Sequence, residues 1–251
     1  MTIRETIRAQ IRSMKDRSLR EKISYFLEYY GGKTLLLLLG LGIVIAFCIT
    51  LATQKTPVLT ATFFGAEPQP AAEDFLSGYI QAAGLDDKRS EVSVLTYDDI
   101  QVDAVISQDT YQSIEVFTAM VASHSVDCFA ANTDLFLTYA YRDYAADLRT
   151  VLRPGELDAL APYLRYIDGA LCDAEDPNDA GATQKPVWPD AACPERMEDP
   201  IPVGIVLSKA TGAFAESYPF ACGDPVIGVC ANSDHVDNAA AFLRYCFGFS
   251  E

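Results

Sequence analysis

The feature that most constrains this chain is an uncharged run of 19 residues, from Thr34 to Ala52. A helix of that length rises about 28 Å at 1.5 Å per residue, close to the ~30 Å hydrocarbon core of a bilayer. A cleavable signal peptide has a shorter apolar stretch behind a short basic start, whereas 33 residues precede this run. We therefore expect an uncleaved transmembrane helix over residues 34–52.

Basic residues concentrate before the apolar run. Residues 1–33 hold eight Lys and Arg against four acidic residues, and only Lys55 lies close on the other side. The positive-inside rule then predicts a cytoplasmic N-terminus and an extracellular C-terminal domain on a single-pass cell-membrane protein. Apolar residues recur in the basic segment at helical spacing, at Ile3, Ile7, Ile11 and Met14. This pattern predicts an amphipathic helix, either a plain topology signal, which we favour, or a helix on the anionic leaflet.

The remaining residues, 53–251, are strongly acidic. They carry eleven basic and 31 acidic side chains, a net charge of −20. Such a surface repels nucleic acid, so no nucleic-acid partner is expected. The length and apolar content are those of one domain with a core of its own.

Cysteine usage is typical of an exported domain. One cysteine, Cys48, lies in the apolar run, and six follow it, an even number that allows up to three disulfides in an oxidising compartment. The pairing that we favour joins Cys172 with Cys193, Cys222 with Cys230, and Cys128 with Cys246. Buried thiols remain the alternative for some of them. A zinc site is disfavoured because the chain has no CxxC motif and only two histidines, so neither metal nor cofactor is expected.

Apolar periodicity alternates between strand-like and helix-like segments. The predicted strands are Val58–Phe64, Glu91–Tyr97 and Val126–Ala131, and the predicted helices are Ala72–Leu85, Asp109–Ser123, Asp134–Tyr144 and one begun by Pro154. Two further strands lie in "IPVGIVLSK" and "PVIGVCANS", and a helix in "SDHVDNAAAFLRYCF" closes the chain. This order predicts an α/β fold, with a mostly parallel sheet covered by helices on both faces.

A long acidic loop interrupts the pattern at about residues 171–200. It holds five prolines and eight acidic residues without visible periodicity, and Cys172 and Cys193 flank most of it. Its acidic cluster suggests a calcium loop of the EF-hand type, starting at Asp176. That interpretation fails because Ala180 and Val187 stand where ligands are needed. We favour a solvated loop closed by a disulfide.

Two segments resemble a known family. "VFTAMVASHSVDCFAANTDLFLTYAYRDYAADLRTVL" and "VCANSDHVDNAAAFLRYCF" are similar to parts of the extracellular solute-binding proteins of bacterial ABC transporters, with the type II periplasmic-binding-protein-like fold. The resemblance extends over most of residues 58–170 and 201–247. It implies an α/β lobe, but the family has two lobes with the solute between them. Here the acidic loop occupies the position of the second lobe, so a single lobe is expected.

A single lobe can still bind a ligand at the carboxyl ends of its strands. The residues expected there are Glu67, Asp98, Asn132, Thr133 and Asp134. Each also has an ordinary structural interpretation, such as a helix N-cap for Asp134 or an exposed loop acid for Glu67 and Asp98.

Two functions follow as hypotheses. The first is a membrane-anchored extracellular binding module, which could be degenerate and lack a full cleft. The alternative is a cell-envelope interaction or structural protein that uses the fold without a small ligand. Under either hypothesis, the partners of the protein would be the membrane itself and an envelope protein or a transporter. An enzyme is not expected, because the sequence contains no G-x-S-x-G, P-loop, H-E-x-x-H or glycine-rich dinucleotide motif.

Overall fold

The structure is a computed structural model that describes residues 19–101, 108–172, 188–221 and 223–249. Contacts divide the chain into two units, Met1–Gln54 and Lys55–Glu251. In the first unit the structure describes one helix, α1 (Leu19–Thr53). The large apolar side chains described in α1, from Leu35 to Leu51, are exposed.

The predicted membrane anchor is corrected by the structure. In the part of the chain that is described, no helix combines the length and the apolar character needed to cross a membrane. The predicted transmembrane helix over residues 34–52 is therefore wrong, and with it the single-pass cell-membrane localisation. Most of the predicted amphipathic segment, residues 1–18, lies outside the described residues.

The second unit is built on a mixed six-stranded sheet of order β2-β1-β3-β6-β5-β4. The strands are β1 (Thr56–Phe64), β2 (Ser90–Tyr97), β3 (Cys128–Ala131), β4 (Leu164–Asp168), β5 (Pro200–Val206) and β6 (Val226–Val229). β1 pairs in parallel with β2 and with β3, whereas the β3–β6, β6–β5 and β5–β4 pairs are antiparallel.

The prediction of a mostly parallel sheet is therefore wrong. A parallel neighbour needs a crossover of a dozen or more residues, usually a helix that returns the chain to the start of the sheet. Between β4 and β5 the described residues contain only the short 3-10 turns Gly169–Leu171 and Pro194–Arg196. The two strands pair antiparallel.

Helices cover both faces of the sheet. They are α2 (Ala72–Ala82), α3 (Gln108–Ala122), α4 (Thr133–Ala140), α5 (Leu148–Val151), α6 (Pro154–Leu160), α7 (Gly212–Ser217) and α8 (Val236–Phe247). The first face joins Phe63 of β1 to α2, α7 and α8 in one core, and the second joins Phe64 to α3 and α4 in another. Neighbouring residues of β1 enter opposite cores because side chains alternate along a strand.

Candidate functional site at the carboxyl ends of the parallel strands

The site lies where the chain leaves adjacent strands in opposite directions. After β1 the chain enters α2, whose buried Phe75 and Tyr79 belong to the first core. After β3 it enters α4, whose buried Leu135 and Phe136 belong to the second core. Because β1 and β3 are neighbours, their carboxyl ends form a topological switch point, the position where open α/β sheets bind ligands.

Asn132 organises this edge of the sheet. Its Nδ2 donates to Oδ1 of Asp99 at 2.7 Å and to the carbonyl oxygen of Ile100 at 2.8 Å. Its Oδ1 accepts the backbone N–H of Leu135 at 2.9 Å, which makes Asn132 the N-cap of α4. One side chain therefore caps a helix and fixes the segment that follows β2.

Gly65 allows Asp99 to come close enough to contact Asn132. It follows β1, which lies between β2 and β3, and has a φ of +82°, a conformation that favours glycine. A Cβ at this position would lie 3.0 Å from the Cβ of Asp99. The segment after β2 thus packs directly against the backbone at the end of β1.

The residues predicted from sequence all lie at this edge, but in different roles. Glu67, Asp98 and Asp134 are exposed, and Asn132 is the organising residue described above. Thr133 is half-buried and donates from Oγ1 to the carbonyl oxygen of Asp224 at 2.9 Å. Thr133 therefore ties the start of α4 to the segment before β6.

Sequence reasoning missed Asp99, which is the carboxylate that contacts Asn132. Its other oxygen, Oδ2, accepts Nε2 of Gln101 at 2.7 Å. The signal available in the sequence was the pair Asp98-Asp99 directly after a strand, since consecutive residues there point in different directions. Asp224, with a φ of +47°, was missed as well.

The connection between α7 and β6 covers part of the strand ends. Ala66 forms an antiparallel bridge with Phe220. The N–H of Glu67 donates to the carbonyl oxygen of Pro219 at 3.1 Å, and the N–H of Ala221 donates to that of Gly65 at 2.8 Å. Among the described residues, the end of β1 is therefore occupied by backbone.

The charge at this edge of the sheet is negative. The four segments 65–67, 98–101, 132–134 and 223–225 contain five carboxylates and no basic residue. Lys209 lies beyond β5, two strands from β3, and its Nζ is 5.8 Å from the centre of the Tyr163 ring. The surface around the switch point is thus suited to a cation.

A second polar cluster lies at the opposite end of β3. Asp127, which is buried, accepts Oγ of Ser233 at 2.6 Å and the backbone N–H of Thr60 at 2.8 Å, and its Oδ1 is 3.3 Å from Nδ1 of His235. In a Ser-His-Asp triad the imidazole stands between the hydroxyl and the carboxylate. Here the carboxylate stands between the other two, so the cluster anchors the segment after β6 to β1.

Within the second unit, the cysteines that the structure describes lie apart from the acidic edge. Cys128, Cys230 and Cys246 are buried free thiols, and burial raises the pKa of each. The thiol of Cys172 donates to the carbonyl oxygen of Asp168 at 3.8 Å, and that of Cys193 to Oδ2 of Asp190 at 3.6 Å. The predicted partner of Cys230, Cys222, and the acidic stretch 173–187 lie outside the described residues.

Comparison with known proteins gives no relative: no family model, curated protein or solved structure matches this chain. Within the described residues no group of three or more His, Cys, Asp and Glu side chains is arranged to hold a metal ion. The function therefore has to be inferred from the geometry of the site itself.

Proposed function

We propose that the unit Lys55–Glu251 is a binding module that takes a basic peptide segment of a partner protein on its acidic strand ends. The observation that carries the proposal is the set of five carboxylates, without a basic residue, around the β1–β3 switch point. Asp99 and Asn132 act as positioning residues, since they bond to each other and fix the segment after β2. The exposed acids Glu67, Asp98 and Asp134 are the groups that would meet a ligand.

The filled end of β1 favours a peptide over an enclosed small solute. Small-molecule sites bury most of their ligand in a cleft. At this edge the backbone of residues 219–221 covers the end of β1, while the side chains of Glu67, Asp98 and Asp134 are exposed. An extended basic segment can contact several exposed carboxylates at once without being enclosed. Two sequence segments resemble solute-binding proteins, and a single lobe of that kind would offer half a cleft for such a peptide.

Fluorescence anisotropy of the full chain with labelled octalysine tests the proposal. The site variant is Glu67→Gln with Asp134→Asn, and the matched control is Glu115→Gln with Asp158→Asn, which removes two exposed acids from α3 and α6. Exposed ion pairs contribute about 0.2–1 kcal/mol each, so the loss of two pairs should weaken binding roughly two- to thirtyfold in the site variant. Binding should also weaken as ionic strength rises past about 0.15 M.

The control separates a local site from the net charge of the chain. The two variants carry the same total charge, so non-specific attraction to an acidic protein would weaken equally in both. Equal weakening would therefore contradict the proposal, as would binding of a neutral peptide of the same length with the same affinity.

A further inference from the structure

A groove of about 190 Å³ lies between α2 and α8, on the first face of the sheet. Three aromatic rings line it, those of Tyr79, Tyr245 and Phe249, together with the small residues Ala82, Ala83 and Ala241 and the charged Arg244. For comparison, an engineered apolar cavity of about 150 Å³ holds benzene. The volume is therefore sufficient for one aromatic ring with a small substituent.

The wall formed by Tyr245 is fixed by a glycine. A Cβ at Gly78, in α2, would collide with Oη of Tyr245, so the ring lies directly against the helix backbone. Beside Tyr245, Tyr79 is fully buried, and its hydroxyl donates to the carbonyl oxygen of Asn238 at 2.9 Å. The two rings contact each other, with centres 6.0 Å apart, and belong to the same wall of the groove.

Arg244 brings hydrogen-bond donors to this groove. Its side chain is 15% exposed, and its Nε donates to Oε1 of Glu156 at 2.8 Å. A guanidinium has five N–H donors, and among the described residues the hydrogen bonds of Arg244 include none from its two Nη atoms. Donors that are largely withdrawn from water favour a charged acceptor.

The local charge also favours an anion, although the chain as a whole is acidic. Burial raises the pKa of Glu156, but hydrogen bonds from Arg244 and from the backbone N–H of Arg153, with the charges of both arginines, bring it below its usual value. Glu156 therefore stays ionised beside Arg244 and near the charge of Arg153. These three side chains carry a net charge of +1, and of the three Arg244 lines the groove.

We propose that the groove between α2 and α8 binds a small carboxylate that carries one aromatic ring. The ring lies in the groove against the side chains of Tyr245 and Phe249, and the carboxylate accepts hydrogen bonds from the Nη groups of Arg244. This site is separate from the acidic strand ends and takes a ligand of the opposite charge. The two proposals can therefore be tested independently of each other.

Benzoate is the probe, and benzyl alcohol and benzylamine are its neutral and cationic counterparts. Ligand-observed NMR and thermal unfolding of the full chain should show saturable binding of benzoate, at least tenfold tighter than that of benzyl alcohol. Benzylamine should not bind. If benzyl alcohol binds as tightly as benzoate, the guanidinium has no part in recognition and the proposal fails. Absence of saturable benzoate binding would also overturn it.

Variants locate the binding, and none of them changes the net charge of the chain. Ala241→Leu fills the groove and should abolish benzoate binding, whereas Ala119→Leu, on the exposed face of α3, should leave it unchanged. Arg244→Lys keeps the charge but loses the planar fork, so binding should weaken several-fold. If Ala241→Leu keeps its fold by circular dichroism and still binds benzoate with unchanged affinity, the ligand lies elsewhere and the proposal is refuted.

Discussion

Asn132 contacts Asp99 across the end of a strand that lies between them. The Nδ2–Oδ1 distance is 2.7 Å, and the contact joins the segments that follow β3 and β2 while β1 occupies the position between these strands. Gly65, at the end of β1, packs against Asp99. The geometry of the candidate site therefore depends on three residues from three strand ends.

Gly65→Ala should destabilise the protein. Alanine at a φ of +82° is strained, and its Cβ would press on the Cβ of Asp99. We expect a loss of about 1–3 kcal/mol in the free energy of unfolding, measured by urea denaturation. Gly212→Ala is the matched control, because no atom lies within 4 Å of its added Cβ and its φ is not positive. A loss no larger than that of the control would show that Asp99 does not constrain Gly65.

Asn132→Asp should separate the two roles of this side chain. Aspartate still caps α4, but it loses the donor to Asp99 and sets two carboxylates against each other. We expect a loss of about 1–3 kcal/mol near neutral pH. Repulsion raises the pKa of the carboxylate pair in the folded state, so the variant should regain stability relative to wild type as pH falls through that raised value.

Asn132→Ser provides the control for the charge effect. Serine also caps a helix, and it removes the amide donors without adding a carboxylate. Its loss of stability should be nearly independent of pH between neutrality and mild acid. If the loss of stability in Asn132→Asp is equally independent of pH, the side chain at position 132 does not face Asp99 in solution.

Asp168→Asn should loosen the segment that precedes β5. The backbone N–H groups of Asp199 and Glu198, and then of Ala170, donate to this carboxylate and hold its pKa below the usual value. A lowered pKa stabilises the fold above the unfolded-state value near 3.9, and this stabilisation is lost as pH falls towards the folded-state value. The difference in stability between wild type and variant should therefore shrink below about pH 4.

The single tryptophan provides the readout for this variant. Trp188 stacks on Tyr141 with ring centres 4.5 Å apart, and Oη of Tyr141 accepts the backbone N–H of Asp168 at 3.2 Å. Asp158→Asn, which removes an exposed acid from α6, should leave both the fluorescence and the pH profile unchanged. An equal response in the two variants would contradict the role given to Asp168.

Alkylation distinguishes buried thiols from the disulfides predicted by sequence. In the native protein, iodoacetamide should modify the exposed Cys48 and leave Cys128, Cys230 and Cys246 unmodified, because burial removes access and raises the pKa of these three thiols. In denaturant without reductant all three should react, as judged by mass spectrometry. If Cys128 and Cys246 react only after reduction, they form a disulfide, as the sequence predicts.

Much of the fold follows from local patterns. The alternation in β1 predicted a strand ending at Phe64, and Leu59, Ala61 and Phe63 do face one core. The helix predicted from Ala72 begins there because its apolar residues recur at helical spacing. These elements were predictable because burial of one face of a strand or helix sets the spacing at which apolar residues recur along the chain.

Features set by long-range contacts were not predictable. Strand β4 was missed because its five residues include the half-buried Arg165 and Tyr166, which break the alternation. The helix predicted over Asp134–Tyr144 ends at Ala140, and Asp143 shortly after it has a φ of +61°. Strand direction was mispredicted for the same reason, since no local pattern records which neighbour a strand will pair with.

The candidate site was predicted only as a location. The principle that ligands bind at the carboxyl ends of strands selected Asn132 and its neighbours correctly as residues of one edge. The partner of Asn132 could not be derived, because Asp98 and Asp99 are equivalent in the sequence and only the register of β2 against β1 distinguishes them.

The most direct test of the proposed function is a titration of the isotope-labelled full chain with octalysine, followed by backbone amide shifts in NMR. The account predicts that the largest shifts fall on Glu67, Asp98, Thr133 and Asp134, and that they fade as salt is added. Exposed acids elsewhere, such as Asp158, should shift little. Shifts of equal size at acids over the whole surface, or none at the strand ends, would contradict the account.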